Sequence, residues 1–196
     1  MEKILFSTRN EDKIKEASQI LKDLELESLG SAGLSLDVVE DQDTYEGNAE
    51  KKAIEAMKLS GMPALADDSG LEIDFLGGEP GVWSARYMGG ATQKEKNQAI
   101  LDKLKGVPDS GRGARFICAV VVVFPDGTVY RSRGVMEGRI AHEAKGDNGF
   151  GYDPIFYVPE KGKTVSELSA KEKHELSHRG KALRGIRDAL AKGLEK

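Results

Sequence analysis

Eight consecutive apolar residues, Ile117 to Phe124, end a strand-like stretch, Arg115 to Phe124, which runs into Pro125-Asp126-Gly127 and then a second strand-like stretch, Thr128 to Val135. That run has strand length and falls far short of the ~20 apolar residues that cross a bilayer. The residues between the two stretches favour a turn, so the pair predicts an antiparallel hairpin buried in a sheet. Around it, helix and strand patterns alternate. Lys3–Ser7 reads as a short buried strand. Asn10–Leu24 reads as an amphipathic helix with Asn10 as its cap and Glu11 and Asp12 in the first turn. Glu46–Leu59 and Thr92–Leu104 are two more helices. Pro63–Asp67 and Leu71–Leu76 read as two separate strands, and helices over Ser169–Leu176 and Gly180–Leu194 close the chain. This order predicts an α/β protein, a mixed sheet flanked by helices, with no internal repeat and no linker.

Composition sets the class. With 196 residues, 39% hydrophobic and 32% charged, the chain can bury a core and keep a charged surface. The N-terminus enters Ile4-Leu5-Phe6 without a signal-peptide pattern, and a single cysteine, Cys118, allows no internal disulfide. A cytoplasmic, reduced protein is expected, with no membrane partner. Charge is unevenly placed. The last 26 residues carry +4, leaving −8 on the rest, and Asp37, Glu40, Asp41, Asp43, Glu46 and Glu50 precede the next cation, Lys51. Acidic and basic clusters of this kind suit a small polyanion bound through a metal ion better than a nucleic acid, which calls for a basic stripe.

Five segments can carry chemistry. Ser7 to Lys13 sits at a strand-to-helix junction, where backbone N–H groups can hold phosphate, although Lys13 in a first helical turn opposes the helix dipole unless an anion is present. Asn48 and Lys52 lie four apart and share a helix face. Asp67-Asp68-Ser69-Gly70 places two carboxylates at the expected end of a short strand. Successive side chains point to opposite faces, so one aspartate should face a ligand and the other should fix a turn. Gly149-Phe150-Gly151-Tyr152-Asp153-Pro154 offers an aromatic face for a planar ligand. Lys173 with Ser177-His178-Arg179-Gly180 collects hydrogen-bond donors at a helix-to-helix corner.

Taken in order, Thr8-Arg9-Asn10-x-x-Lys13, the Glu40 region, Asn48-Ala49 with Lys52-Ala53, Ala66 to Leu71, Pro80-Gly81 with Ser84 to Tyr87, Gly149 to Pro154 and Ser177 to Gly180 span nearly the whole chain. In this respect the sequence closely resembles the inosine/xanthosine triphosphate pyrophosphatase family. Arg9 departs from it, standing where the family usually has glycine. The resemblance implies one domain over residues 1–196, with an elongated mixed sheet and two lobes around an active-site cleft, and a homodimer. It implies cleavage of non-standard purine nucleoside triphosphates (ITP, dITP, XTP) between the α- and β-phosphates with Mg2+, giving monophosphate and pyrophosphate. By the same resemblance, Thr8, Arg9, Asn10, Glu11, Asp12, Lys13 and Lys52 hold the triphosphate and Ser69 contacts substrate. Glu40 and Asp68 serve the metal, with Asp68 as proton acceptor. Phe150, Gly151, Tyr152, Asp153, Lys173, His178 and Arg179 form the base pocket. The sequence leaves open whether Asp68 is the base or a metal ligand alone. A pyrimidine-directed enzyme, a nucleotide sensor and a nucleic-acid module are the competing readings.

Overall fold

The computed structural model describes residues 3–194. Seven strands form one sheet in the order β2-β1-β3-β4-β5-β6-β7. They are β1 Ile4–Phe6, β2 Leu26–Ser28, β3 Ala64–Ile73, β4 Gly113–Val123, β5 Val129–Ile140, β6 Phe156–Val158 and β7 Lys163–Thr164. The helices are α1 Glu11–Ile20, α2 Tyr45–Ser60, α3 Gln93–Lys103, α4 Ala170–Leu176 and α5 His178–Leu194. Strand β1 runs parallel to both β2 and β3, whereas β6 runs antiparallel to β5 and β7, so the sheet is mixed as the sequence predicts. The β4–β5 turn closes through Phe124 N–H to Thr128 O at 2.9 Å and Gly127 N–H to Phe124 O at 3.0 Å. No helix among the described residues is long and apolar enough to cross a membrane.

The chain folds into two compact units, each assembled from separated stretches. Of the described residues, one takes 3–69, Cys118–Gly134 and 178–194; the other takes Gly70–Ile117 and Val135–Ser177. In the first, Phe6, Leu65, Cys118, Val120 and Val122 pack against Ala17, Leu21, Leu183 and Ile186. In the second, Leu71, Ile73, Phe116 and Ile140 pack against Ile100, Leu104 and Phe156, with Phe116 stacked on Phe156 at 4.4 Å.

Three local expectations give way. Residues 63–67 and 71–76 are not two strands with a turn between them. Strand β3 runs unbroken from Ala64 to Ile73, and the second stretch ends in a 3-10 turn, Asp74–Leu76. Sheet pairing overrides the turn preference of Asp-Asp-Ser-Gly, because both carboxylates find cationic partners where they stand. Helix α1 stops at Ile20 rather than Leu24. Leu21 N–H still reaches Ala17 O, and Leu24 then turns back onto Leu21 O. Helix α5 begins at His178, so Ser177 alone separates it from α4 and Gly180 lies inside the helix. Strands β2 and β7, three and two residues long, carry too short a pattern to be read from sequence.

Candidate functional site

Strand β3 organises the first unit because its two aspartates point to opposite faces. Asp68 meets α2. Its Oδ1 accepts from Lys52 Nζ at 3.2 Å and its Oδ2 from Asn48 Nδ2 at 3.2 Å. Lys52 also donates to Glu40 Oε1 at 2.6 Å, so Glu40 and Asp68 share one ammonium. Thr44 caps α2 by accepting from Gly47 N–H. Asn48, fully buried, ties the helix start to Gln42 by accepting its N–H and donating to its carbonyl. The four-residue spacing of Asn48 and Lys52 thus delivers both to one carboxylate. Burial pushes Asp68 above the usual carboxylate range and Glu40 adds to this, while Lys52 and Lys13 pull the other way without cancelling it. For Lys52, burial opposes the charged form, but Asp68, Asp67 and Glu40 outweigh it and raise its pKa.

Asp67 occupies the other face, with a side chain 1% exposed. Its Oδ1 accepts from Lys13 Nζ at 3.0 Å and its Oδ2 from Arg179 Nε at 3.2 Å. Arg179 also donates to Glu16 Oε2 at 2.7 Å and Ser69 Oγ at 3.0 Å. Burial alone would raise the Asp67 pKa, but Lys13, Arg179 and Lys52 hold it well below the ordinary range. The turn-fixing role expected for one aspartate is therefore replaced by a buried charge network. Asp67 is also the anion that offsets Lys13 at the positive end of α1. Arg179, in the first turn of α5, meets the same difficulty and has the same remedy in Asp67 and Glu16.

At the start of α1, Asn10 Oδ1 accepts from Asp12 N–H at 3.0 Å and Lys13 N–H at 3.2 Å, so two of the helix-start donors are met by the cap itself. Asn10 N–H donates to Thr8 Oγ1 at 3.2 Å, and Arg9 reaches Ser35 Oγ at 3.0 Å. Glu11 and Asp12 are exposed in the first turn. Cys118 sits against Asp67, and burial pushes its thiol up to about 12.

In the second unit, Asp153 Oδ2 accepts from Phe150 N–H at 2.9 Å and from Lys173 Nζ at 2.8 Å. Lys173 Nζ also lies 4.4 Å from the centre of the Phe150 ring. Gly149 has φ +77°, and a Cβ there would strike Asp153 Oδ2. Tyr152 OH donates to Ser84 O at 2.8 Å, and Ser84 Oγ accepts from Leu71 N–H at 2.9 Å. The residues expected to bind a base divide between the units: Phe150 to Asp153 and Lys173 belong to the second, and His178 and Arg179 to the first. Sequence reading missed Glu16, whose carboxylate sits in an ordinary helical pattern, and Asn97, which donates to Gly151 O at 3.1 Å.

Acids and lysines thus pair on both faces of β3, Asp68 and Glu40 with Lys52, and Asp67 with Lys13. The chain is 45% identical to the dITP/XTP pyrophosphatase of Shigella flexneri, over 98% of this chain and 100% of the relative. It is 44% identical to that of Thermus thermophilus, over 97% and 93%. A HAM1 protein from Coxiella burnetii superposes with TM-score 0.88 at 41% identity, covering 98% of this chain and 100% of that one. The Ham1 protein of Staphylococcus aureus gives 0.84 at 36%, covering 99% and 98%. The Ham1 family model matches residues 4–189, and with relatives this similar along the full length, the chain belongs to the Ham1 family.

Proposed function

We propose that this protein is a dITP/XTP pyrophosphatase that removes non-standard purine nucleotides, cutting ITP, dITP or XTP between the α- and β-phosphates. The observation that carries the reading is the shared ammonium of Lys52 between Glu40 and Asp68. Two carboxylates converge on one cationic point, beside a second lysine, Lys13, on the neighbouring aspartate. The full-length likeness to relatives named for this activity supports the same conclusion.

The donor set fits a magnesium ion, because Glu40 and Asp68 present hard oxygens that already meet around a positive charge. Among the described residues no cluster of three or more His, Cys, Asp or Glu could hold a metal, so phosphate oxygens and water complete such a shell. When bound, Mg2+ supplies charge neutralisation for the phosphates and orientation of water. Thr8, Arg9, Asn10, Glu11, Asp12 and Lys13 line the triphosphate at the start of α1. Lys52 exchanges a carboxylate for phosphate oxygens, and Ser69 contacts substrate. Asp68 takes the proton of the attacking water. A new bond forms from that oxygen to the α-phosphorus, the bridging α–β bond breaks, and pyrophosphate leaves with its electron pair. A carboxylate raised by burial is the stronger base for that transfer.

Phe150, Gly151, Tyr152 and Asp153 form the loop that receives the base, with Lys173, His178 and Arg179 as donors to an oxygen at position 6. Arg179 is already braced on Glu16, Asp67 and Ser69, so its orientation is set before substrate binds. We further propose a homodimer acting in the cytoplasm on free nucleotides. Phe75, Trp83 and Met88, about half exposed within one stretch of chain, support self-association. Pyrophosphate release from dITP with and without Mg2+ tests the reading. Release that depends on the metal supports it, and absence of release under both conditions refutes it.

A further inference from the structure

The loop that carries Phe150 is held in shape by a few hydrogen bonds. Gly149 and Gly151 both adopt positive φ, +77° and +65°, and glycine leaves these angles loosely determined. Asp153 from within the loop and Asn97 from outside it pin the segment. Asp153 Oδ2 accepts from the N–H of Phe150 at 2.9 Å, and Asn97 Nδ2 donates to the C=O of Gly151 at 3.1 Å. The first donor and the last acceptor of the Phe150-Gly151 pair are thus both fixed. Asn97 comes from α3, a separate and well-anchored element. Thr92 and Glu95 close a capping box at its start, Lys96 Nζ donates to Ala85 O at 2.7 Å, and Ile100 lies fully in the core. Asn97 is itself held, its Oδ1 accepting from Gln93 Nε2 at 2.9 Å one helical turn earlier. Its side chain therefore presents its amino group to the loop and no other way round.

We infer that Asn97 is a positioning residue for base selection, holding Phe150 at the angle at which its ring receives a purine. This rests on the proposed base-binding role of the Phe150 loop. The relevant substitution is Asn97→Asp, equal in size and able to accept from Gln93, but when ionised with no donor for the Gly151 carbonyl. Amide exchange at Phe150 and Asp153 in the unliganded protein reports the loop directly, since Phe150 N–H is bound to Asp153 Oδ2 and Asp153 N–H to Phe150 O. Loss of one hydrogen bond should speed exchange at both by about fivefold, with strand β4 unchanged, and raise KM for dITP by a similar factor. kcat should stay within about threefold, and the preference for dITP over dGTP should fall.

Asn97→Ala serves as the second variant should the aspartate fail to fold, with the same outcomes expected. A lower melting temperature without change in exchange at Phe150 and Asp153, or in the dITP/dGTP ratio, would mean that Asn97 is merely structural and overturns the inference. If the unaltered protein does not hydrolyse dITP, the proposed function fails. The tether then stands or falls on the exchange rates alone.

Discussion

Replacing Asp67 by Asn isolates the charge on the buried face of β3 while keeping its shape. The carboxylate is 1% exposed and bonds Lys13 at 3.0 Å and Arg179 at 3.2 Å. Removing one member of a buried pair typically costs about 3–5 kcal/mol, because the remaining cation stays desolvated. Arg179 keeps Glu16 at 2.7 Å and Ser69 at 3.0 Å, and Asn retains one acceptor, which places the cost at the low end, about 3 kcal/mol. For a chain of this size that corresponds to a fall in Tm of about 6–12 °C. The pH dependence has a definite sign. Asp67 is depressed in the folded protein, so its contribution is complete above the unfolded carboxylate pKa of about 4 and is lost as pH falls through the lower folded value. Urea unfolding of both proteins from pH 7 down to pH 3 is the assay. The stability gap should be constant to about pH 5 and narrow below about 4. A gap under about 1 kcal/mol at pH 7 would refute the assignment, since it falls in the range of an exposed pair.

Asp68→Asn should keep the fold and nucleotide binding but lose roughly 10²–10⁴ in turnover; a value within threefold of the unaltered enzyme would remove Asp68 from the chemistry. Lys13→Ala should weaken a non-hydrolysable ITP analogue in a calorimetric titration, and it should also destabilise the empty protein. Helix polarity alone predicts the opposite for stability, but Asp67 would lose a partner. His178→Ala or Arg179→Ala should erode discrimination against ATP more than against GTP, because adenine puts a donor at position 6 where inosine and guanine put an acceptor. Comparing kcat/KM for ITP, ATP and GTP decides this, and an equal fall in both ratios would refute the donor pocket. Cys118, raised to about 12 by burial, should resist iodoacetamide at pH 8 in the native protein and react once urea unfolds it.

The sequence by itself determined the elements whose signals are local and long. The Ile117–Phe124 run, the Pro125-Asp126-Gly127 turn, the Asn10 cap of α1 and the existence of α2 and α3 needed only periodicity, capping and turn chemistry. The spacing of Asn48 and Lys52 on one helix face was likewise legible, and both do meet Asp68. Tertiary structure alone decided that Asp67-Asp68-Ser69-Gly70 is strand rather than turn. Those residues prefer turns when their carboxylates face water; here Lys13, Lys52 and Arg179, remote in sequence, arrive to neutralise them. Glu16 and Asn97 were invisible for the same reason. Each sits in an unremarkable helical pattern, and its meaning comes from a partner far along the chain, Arg179 or Gly151. Local propensity is written in neighbours along the chain, whereas a buried charge or amide is explained only by the groups that folding brings to it.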